Sequence, residues 1–554
     1  MKQRKPMRTV VMAVAVAMAV ALAATACGSS GSPNATSQRT TKKSSATAHA
    51  DVIVPTSGSP KAGGSVVYAI EGESDGWNPT SARWSVPALT EANTVFDPLA
   101  AWGPNYDTEP YLAESMTHNA DYTVWYIKVR SGVTFHDGEK LNAAAVKQDL
   151  DAVKASVLTG SAFEPVTSTS IVDDLTVAVH MSIPWSVFPA TLTSQVGLIA
   201  APKQLTSKDT QHPIGTGPFI FSSWVQNASF VVKKNPDYWR KGLPYLDQVT
   251  FKPIPEAHTM YDALATGDID MMVTSSNQIQ AKLVTAAAAG QIQLVYSRGE
   301  TDEASVMLNT AAAPMNELSV RQALVAATDT KSWAKAVGVD PSTIADGPFA
   351  PGSKWYITTG YPGYDLAKAK QLVQQYTAEH GSPPSFTLQC TPDSVVLQTC
   401  QILQSQWGQA GMKVRIVTTE ESTLISNAIG GSYQASIWRQ FGGQDPDGDS
   451  VWWNGANTKP PLALNMARNV DPKIDAALYV GRTSHLENQR QLAYITVARQ
   501  LAKDLPYVWL NHTVWALGAR NSVRGFDQTT LPNGEKTDAM TSGVERLGQI
   551  WLAS

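Results

Sequence analysis

The sequence is poor in the residue types that mark several functional classes. Its 554 residues include 3 cysteines and 9 histidines, and charged residues make up 16% of the chain. The formal charge of −4, from 43 basic and 47 acidic residues, leaves no basic excess of the kind that binds nucleic acid. No two histidines have the four-residue spacing of a zinc-binding helix. These shortages argue against a nucleic-acid-binding protein and a zinc-helix enzyme.

The chain also lacks an apolar run long enough to span a membrane. The run at 10–22 is shorter than the roughly 20 residues that a span needs. It follows a basic segment and ends in small residues before Cys27, which is the order of a secretory signal peptide. A cysteine in this place resembles the lipobox of bacterial lipoproteins. We therefore predict a lipoprotein signal peptide at 1–26, lipidation of Cys27 and a flexible tether at 27–60.

What remains has the composition of a globular protein. Hydrophobic residues make up 43% of the chain, and 16 residues are tryptophan, which can line a large pocket. The length exceeds what one core supports, so two or three domains are expected. No internal repeat is present.

Strand and helix patterns alternate in the second half of the chain. Short apolar strands are predicted at 386–388, 414–417 and 434–437, with helices at 395–410 and 421–429 between them. Strand–helix–strand order implies parallel pairing, and ligands of such sheets bind beyond the C-terminal ends of the strands.

The stretch 438–447 follows the last of these strands and combines aromatic, cationic, amide and acidic side chains. Gly442-Gly443 allows a close backbone approach, and Asp445-Pro446 indicates a turn. Such a loop can stack on a small polar molecule and hydrogen-bond to it. The predicted ligand contacts are Trp438, Arg439, Gln440, Phe441, Asp445 and Asp447, with Trp77 and Asn78 from a facing lobe.

Cys390 and Cys400 are the other two cysteines. The segment after Cys390 looks like the start of a helix that carries Cys400 two turns in, which often separates two Cα atoms by more than the roughly 7 Å that a disulfide tolerates. The sequence favours two free, buried thiols here, although an extracytoplasmic protein could form the bond.

Eight short segments together resemble the family 5 extracellular solute-binding proteins, the peptide- and nickel-binding receptors of ABC importers. The similarity runs from about residue 63 to residue 526. The segments are PYLAES at 110–115, RSGVTFHDGE at 130–139, PIGTGPF at 213–219, NPDYW at 235–239, YLD at 245–247, LATGDID at 264–270, VRQAL at 320–324 and DLAKAK at 365–370.

The resemblance implies an α/β, two-lobed periplasmic-binding-protein fold (type II, cluster C) with an extra inserted subdomain. The lobes would close over the ligand by a hinge motion. The expected division assigns 61–100, 210–305 and 510–554 to lobe I, 101–209 to the inserted subdomain, and 306–509 to lobe II.

The resemblance also implies a function, with departures that bear on the ligand. Peptide-binding members hold the ligand's amino terminus with an aspartate where Gly442 stands here, and Arg439 replaces a usual pocket tryptophan. Dipeptide binders add an arginine that is missing around Leu397-Gln398. We therefore expect an oligopeptide rather than a dipeptide; the alternative is a non-peptide polar or anionic solute held by Arg439.

The expected protein is a monomer without enzymatic activity, cofactor or metal, working with ABC permease and ATPase subunits at the outer face of the bacterial cell membrane. A remote alternative is an exported serine hydrolase, since Ser332 and Lys335 match a Ser-x-x-Lys motif. The companion motifs of such enzymes are absent from the chain.

Overall fold

The computed structural model describes residues 50–52, 58–207, 209–297, 302–440, 442–459 and 462–553, with 50–52 described by their backbone alone. The predicted signal peptide, Cys27, most of the tether and Phe441 therefore lie outside the described residues. Within the described part, no helix combines the length and the apolar composition of a transmembrane segment.

Strands and helices mix along the whole described chain, which confirms the predicted α/β class. The strands are β1 (Ala50–Val52), β2 (Ser65–Ile70), β3 (Ala100–Trp102), β4 (Thr108–Pro110), β5 (Ala113–His118), β6 (Val124–Val129), β7 (Val166–Asp173), β8 (Thr176–Met181), β9 (Phe219–Val225), β10 (Ser229–Lys234), β11 (Gln248–Pro253), β12 (Met271–Thr274), β13 (Ile292–Ser297), β14 (Glu303–Leu308), β15 (Ser385–Cys390), β16 (Lys413–Thr418), β17 (Ala435–Gln440), β18 (Tyr507–His512), β19 (Trp515–Arg520), β20 (Val523–Arg524), β21 (Gln528–Thr530), β22 (Lys536–Asp538), β23 (Met540–Thr541), β24 (Val544–Glu545) and β25 (Trp551–Leu552). The helices are α1 (Val86–Val95), α2 (Ala143–Ala155), α3 (Phe188–Thr191), α4 (Pro202–Thr206), α5 (Ala257–Thr266), α6 (Asn277–Ala288), α7 (Leu318–Ala327), α8 (Thr330–Val337), α9 (Leu366–His380), α10 (Ser394–Gln409), α11 (Glu421–Gly430), α12 (Ser450–Trp453), α13 (Pro472–Thr483) and α14 (Glu487–Asp504).

The large sheet has eight strands in the order β1-β13-β19-β12-β2-β11-β10-β9. Its central strand β2 pairs in parallel with both β11 and β12. A central strand is buried on both faces, which explains the nearly continuous apolar sequence of β2. Tyr68 and Ile70 face a core that includes Phe96, whereas Ala69 faces a second core beside α5 and α6.

The small sheet has five strands in the order β16-β15-β17-β14-β18. β15 pairs in parallel with β16 and with β17, so the predicted strand–helix–strand arrangement is confirmed. β14 runs antiparallel to β17 and β18. One face of this sheet packs on α7 to α10, and the other packs on α13 and α14. β17 therefore lies at the centre, and its C-terminal end leads into the predicted binding loop.

A third sheet, β5-β6-β8-β7, is antiparallel and lies wholly between residues 113 and 181. It shares a core with α2, whose apolar residues Val146, Leu150 and Val153 face the sheet. The side chain of Asn142 caps α2 by accepting a hydrogen bond from the backbone N–H of Ala145. Its strands lie in the range expected for the inserted subdomain, while the exact domain boundaries stay a prediction.

The chain passes twice between the large and small sheets. β13 of the large sheet precedes β14 of the small one, and β18 of the small sheet precedes β19 of the large one. The two connections meet where the backbone N–H of Thr513 donates to the carbonyl of Asp302, at 2.7 Å. The two sheets are therefore connected through two neighbouring segments of the chain.

Cys390 and Cys400 form a disulfide, so the expectation of free thiols was wrong. The expected helix is present as α10, but it folds back on the end of β15 and brings the two Cα atoms to 6.7 Å, within the distance that a disulfide tolerates. Both residues are fully buried, as expected.

Reduction of this disulfide is expected to lower the free energy of unfolding by about 2–3 kcal/mol, since it closes a short loop in the unfolded chain. Urea unfolding with and without reductant measures the difference. The Cys390→Ala/Cys400→Ala variant is the control, because reductant should leave it unchanged. Alkylation of both cysteines in denatured, non-reduced protein would contradict the bond.

Candidate functional site

The predicted loop begins within β17, whose last residues are Trp438, Arg439 and Gln440. The indole Nε1–H of Trp438 donates to Oε1 of Gln440 at 3.2 Å, and Gln440 is buried. Side chains alternate along a strand, so Arg439 points to the opposite face from these two residues. Phe441 lies outside the described residues.

Arg439 connects the small sheet to the large one. Its Nη1 donates to Oγ of Ser275 at 2.8 Å, and its guanidinium carbon lies 5.1 Å from the centre of the Trp515 ring. Ser275 directly follows β12, and Trp515 begins β19, both in the large sheet. The half-buried cation predicted to bind a ligand is thus placed between the two sheets.

Ser275 also contacts a carboxylate that sequence reasoning missed. Glu71, directly after β2, accepts hydrogen bonds at Oε1 from Thr274 Oγ1 (2.6 Å) and from the backbone N–H of Ser275 (2.7 Å). Ser275 Oγ lies 3.1 Å from Oε2 of Glu71. The hydroxyl of Ser275 therefore lies between the guanidinium of Arg439 and the carboxylate of Glu71. The sequence could have indicated Glu71 as a site residue, because the parallel strands β2 and β12 end at the same edge of the sheet.

Asp445 and Asp447 do not face an open cleft. Asp447 is buried and pairs with Nε of Arg482 at 2.8 Å, while its second oxygen accepts from Trp185 Nε1 at 2.7 Å. Asp445 pairs with Arg490 at 2.5 Å and also accepts from the backbone N–H of Asp447. The expectation that these carboxylates contact a ligand is corrected: both are already neutralised by arginines of α13 and α14, where they fix the loop.

Trp77 and Asn78 are also corrected, because their side chains are turned into the protein. Trp77 is fully buried in the core of the large sheet, with its ring centre 4.2 Å from that of Phe230. Asn78 is buried too, and its Oδ1 accepts from the backbone N–H and the hydroxyl of Thr80. An aromatic residue after a strand can pack inward or outward, and the local sequence does not distinguish the two.

Three buried carboxylates lie beneath the loop. Burial raises the pKa of Glu303 well above its usual range, and the neighbouring acids Asp449 and Asp302 act in the same direction. Burial likewise raises the pKa of Asp449. His512, opposite Glu303 in the sheet, has its pKa lowered by burial to about 4. Burial therefore disfavours the charged forms of Glu303, Asp449 and His512.

A cavity of about 660 Å³ lies between α6, from the large-sheet side, and α8, from the small-sheet side. Its lining includes Asn277, Gln280, Tyr296, Lys335 and Ile344. Asn277 follows Ser275 by two residues, but neither Ser275 nor Arg439 lines this cavity. This volume falls within the range of about 300–1,000 Å³ typical of small-molecule sites.

One set of side chains in the described part has the spacing of a metal site. Donor atoms of Glu317, Glu379 and His380 lie within 4.8 Å of one another at the ends of α7 and α9. His380 Nε2 lies 3.1 Å from a Glu317 oxygen, so an ordinary ion pair accounts for most of this cluster. It lies on different elements from those of the Arg439 contact.

Two sheets joined by paired crossings, with charged side chains at the facing strand ends, define a two-lobed solute-binding protein. The model of the bacterial extracellular solute-binding proteins, family 5, matches residues 107–460. The chain belongs to this family, and the resemblance inferred from its motifs is confirmed. Such proteins are extracytoplasmic binding components of ABC importers.

Individual relatives agree with this assignment. The glutathione-binding protein GsiB of Pectobacterium atrosepticum is 28% identical over 437 residues, covering 76% of this chain and 83% of that protein. The structure of the oligopeptide-binding protein AppA from Bacillus subtilis, in complex with a nonapeptide, superposes with a TM-score of 0.76 at 23% identity, covering 90% of this chain and 100% of that one. AgaA with agropinic acid, from A. tumefacien R10, gives 0.77 at 22% identity, covering 89% and 99%. The two-lobed fold expected from the sequence is thereby confirmed.

The Asp447→Asn substitution is expected to lower the free energy of unfolding by about 3–5 kcal/mol, because it leaves the buried Arg482 without its counter-charge. Chemical denaturation measures the loss. Asp209→Asn is the matched control, since Asp209 forms an exposed ion pair with His212. Unchanged stability with weakened ligand binding would instead restore Asp447 as a ligand contact.

Proposed function

We propose that this protein is the substrate-binding lipoprotein of an ABC importer and that it captures peptides, oligopeptides rather than dipeptides, between two closing lobes. The contact that carries this proposal is the hydrogen bond from Arg439 to Ser275, which joins the strand ends of the two sheets. The captured ligand is then delivered to a membrane permease with its ATPase subunits. The protein acts as a monomer.

The lobe division supports closure about the two crossings. Lobe I comprises 61–100, 210–305 and 510–554, lobe II comprises 306–509, and the inserted subdomain comprises 101–209. The two crossings, which meet at Asp302 and Thr513, are the hinge. Ligand binding shifts the population towards the closed form only if the ligand contacts both lobes. Arg439 and Glu71, on facing strand ends, provide such contacts.

The chemistry of the cleft supports a zwitterionic or acidic ligand. A carboxylate can take two parallel hydrogen bonds from the guanidinium of Arg439, and an ammonium can bind Glu71. Trp438 stays a predicted ligand contact, with its side chain on the opposite face of β17 from Arg439. Peptides carry both charged groups, and the names of the relatives include glutathione and a nonapeptide as ligands.

The alternative ligand is a non-peptide polar or anionic solute carried by the same kind of importer. The cation of Arg439 suits an anionic solute without any further charged contact. Agropinic acid is the ligand of AgaA. The hydrolase alternative gains no support, because Ser332 Oγ donates to the carbonyl of Asp329 and accepts from Gln406. The bond to Asp329 is typical of a helix's first turn, and the bond from Gln406 comes from the neighbouring helix α10.

The Arg439→Ala substitution is expected to weaken binding of a carboxylate-containing ligand at least tenfold, equivalent to about 1.4 kcal/mol. Mass spectrometry of the co-purified ligand identifies the molecule, and calorimetry then measures its affinity. Arg415→Ala, on an exposed arginine of the edge strand β16, is the matched control. The melting temperature of the free protein should change little.

If Arg439→Ala binds the co-purified ligand as tightly as the parent, Arg439 serves the contact between the lobes alone. The anionic-solute alternative is then wrong. An oligopeptide held by backbone hydrogen bonds would remain.

We further propose attachment to the outer face of the cell membrane through lipidated Cys27. The Cys27→Ala variant should be released into the medium or remain as uncleaved precursor, and cell fractionation with intact-mass analysis distinguishes the forms. Ser29→Ala is the control, since the position follows the predicted cleavage site. Membrane retention of a correctly processed Cys27→Ala protein would disprove lipidation.

A further inference from the structure

A small polar cavity lies in the large-sheet half of the protein, apart from the elements that form the cleft. Residues at the end of α1, directly after β4, in β21 and directly after β24 line it. Its volume is about 20 Å³, which is enough for one water-sized molecule or ion. Its lining includes Asn93, Asp97, Tyr111, Arg240 and Arg546.

Two guanidinium groups converge on one aromatic ring beside this cavity. The Cζ atom of Arg240 lies 5.7 Å from the centre of the Tyr111 ring, and that of Arg546 lies 4.9 Å from it. Arg240 donates from Nη1 to the Tyr111 hydroxyl at 3.3 Å and from Nη2 to the carbonyl of Thr530 at 2.6 Å. The charge of Arg240 disfavours the charged form of Arg546, a repulsion that a nearby counter-charge would relieve.

One N–H group of Arg546 lacks a hydrogen-bond acceptor: its Nη1 is buried and donates to no acceptor within the described residues. Burial lowers the pKa of Arg546, and the charge of Arg240 acts in the same direction, while Tyr111 and Asp97 oppose the shift without cancelling it. A buried cationic N–H without an acceptor is costly, so the site calls for an acceptor that fits the cavity.

Asp97 does not fill this role. Among the described residues that line the cavity, it is the single carboxylate. Its oxygens accept hydrogen bonds from the Tyr238 hydroxyl (3.0 Å), Trp239 Nε1 (2.8 Å) and Thr216 Oγ1 (3.0 Å). Burial raises the pKa of Asp97 to about 6. Even with Asp97 ionised, two arginines against one aspartate leave the cavity lining with one uncompensated positive charge.

We propose that this cavity binds one small inorganic anion of the chloride class, held between the guanidinium groups of Arg240 and Arg546. The anion supplies both the missing acceptor and the missing negative charge. The volume admits a single small ion and excludes tetrahedral oxyanions. Because Arg240 also binds Thr530, the ion would fasten the C-terminal segment to the body of the large sheet. The proposal is independent of the ligand of the cleft.

Bromide, which replaces chloride and scatters anomalously, is the direct probe. Crystals of the full chain are soaked in sodium bromide and measured at the bromine absorption edge. An anomalous peak within hydrogen-bonding distance of Arg240 and Arg546 is expected. Water without an anomalous signal at that place overturns the proposal, as does bromide bound at exposed arginines alone.

The Arg546→Gln variant tests the residue assignment, with Arg83→Gln as control because Arg83 is an exposed arginine paired with Asp75. The peak should vanish in the first variant and persist in the second. In solution, chloride at ten times its dissociation constant shifts the folding equilibrium about elevenfold relative to gluconate at equal ionic strength. The parent and Arg83→Gln should show this shift, and Arg546→Gln should lose it.

A bromide peak that survives in Arg546→Gln, or a parent protein with equal stability in chloride and gluconate, contradicts the proposal. If Arg546→Gln does not fold, the anomalous measurement on the parent protein decides by itself.

Discussion

The cleft depends on one constraint of β-sheet topology: strands that run in parallel end at the same edge of a sheet. β2 and β12 are parallel neighbours in the large sheet, and their ends carry Glu71 and Ser275. β17 is parallel to β15 in the small sheet and ends with Arg439 and Gln440. The two chain crossings hold these edges against each other, so residues from three distant segments meet around one hydroxyl.

Burial then separates the ionisable groups of this region into two kinds. It raises the pKa of Glu303 and Asp449 beneath the loop, while Asp447 is compensated by Arg482. Arg439 and Glu71 lie at the interface between the sheets and are half-buried. A charge at an interface can be satisfied by water or by a ligand at lower cost than one in a core. The groups suited to recognition are therefore those at the strand ends.

The fold was largely predictable, because its signals are local or ordered along the chain. Alternating strands and helices predict the parallel pairing of β15 with β16 and β17, and eight ordered motifs predict the family. The partners of Asp447 were not predictable, since Arg482 and Trp185 come from other elements and only packing brings them together. The same limit applies to Cys400, whose distance from Cys390 depends on the angle at which α10 folds back on β15.

Under the proposed function, ligand selectivity depends on the contact between Arg439 and Ser275, because arginines already hold the carboxylates of the loop. Asp445 and Asp447 anchor the loop to α13 and α14, and Asp447 also accepts a hydrogen bond from Trp185, in the range expected for the inserted subdomain. In the described arrangement Ser275 accepts from Arg439 and lies within hydrogen-bonding distance of Glu71. A ligand bound at this contact would exchange these hydrogen bonds for its own. A ligand carboxylate can replace the hydroxyl as the acceptor for Arg439, and a ligand ammonium can replace it as the donor to Glu71. A neutral molecule of the same size can do neither as well, so the contact between the lobes also discriminates between ligands.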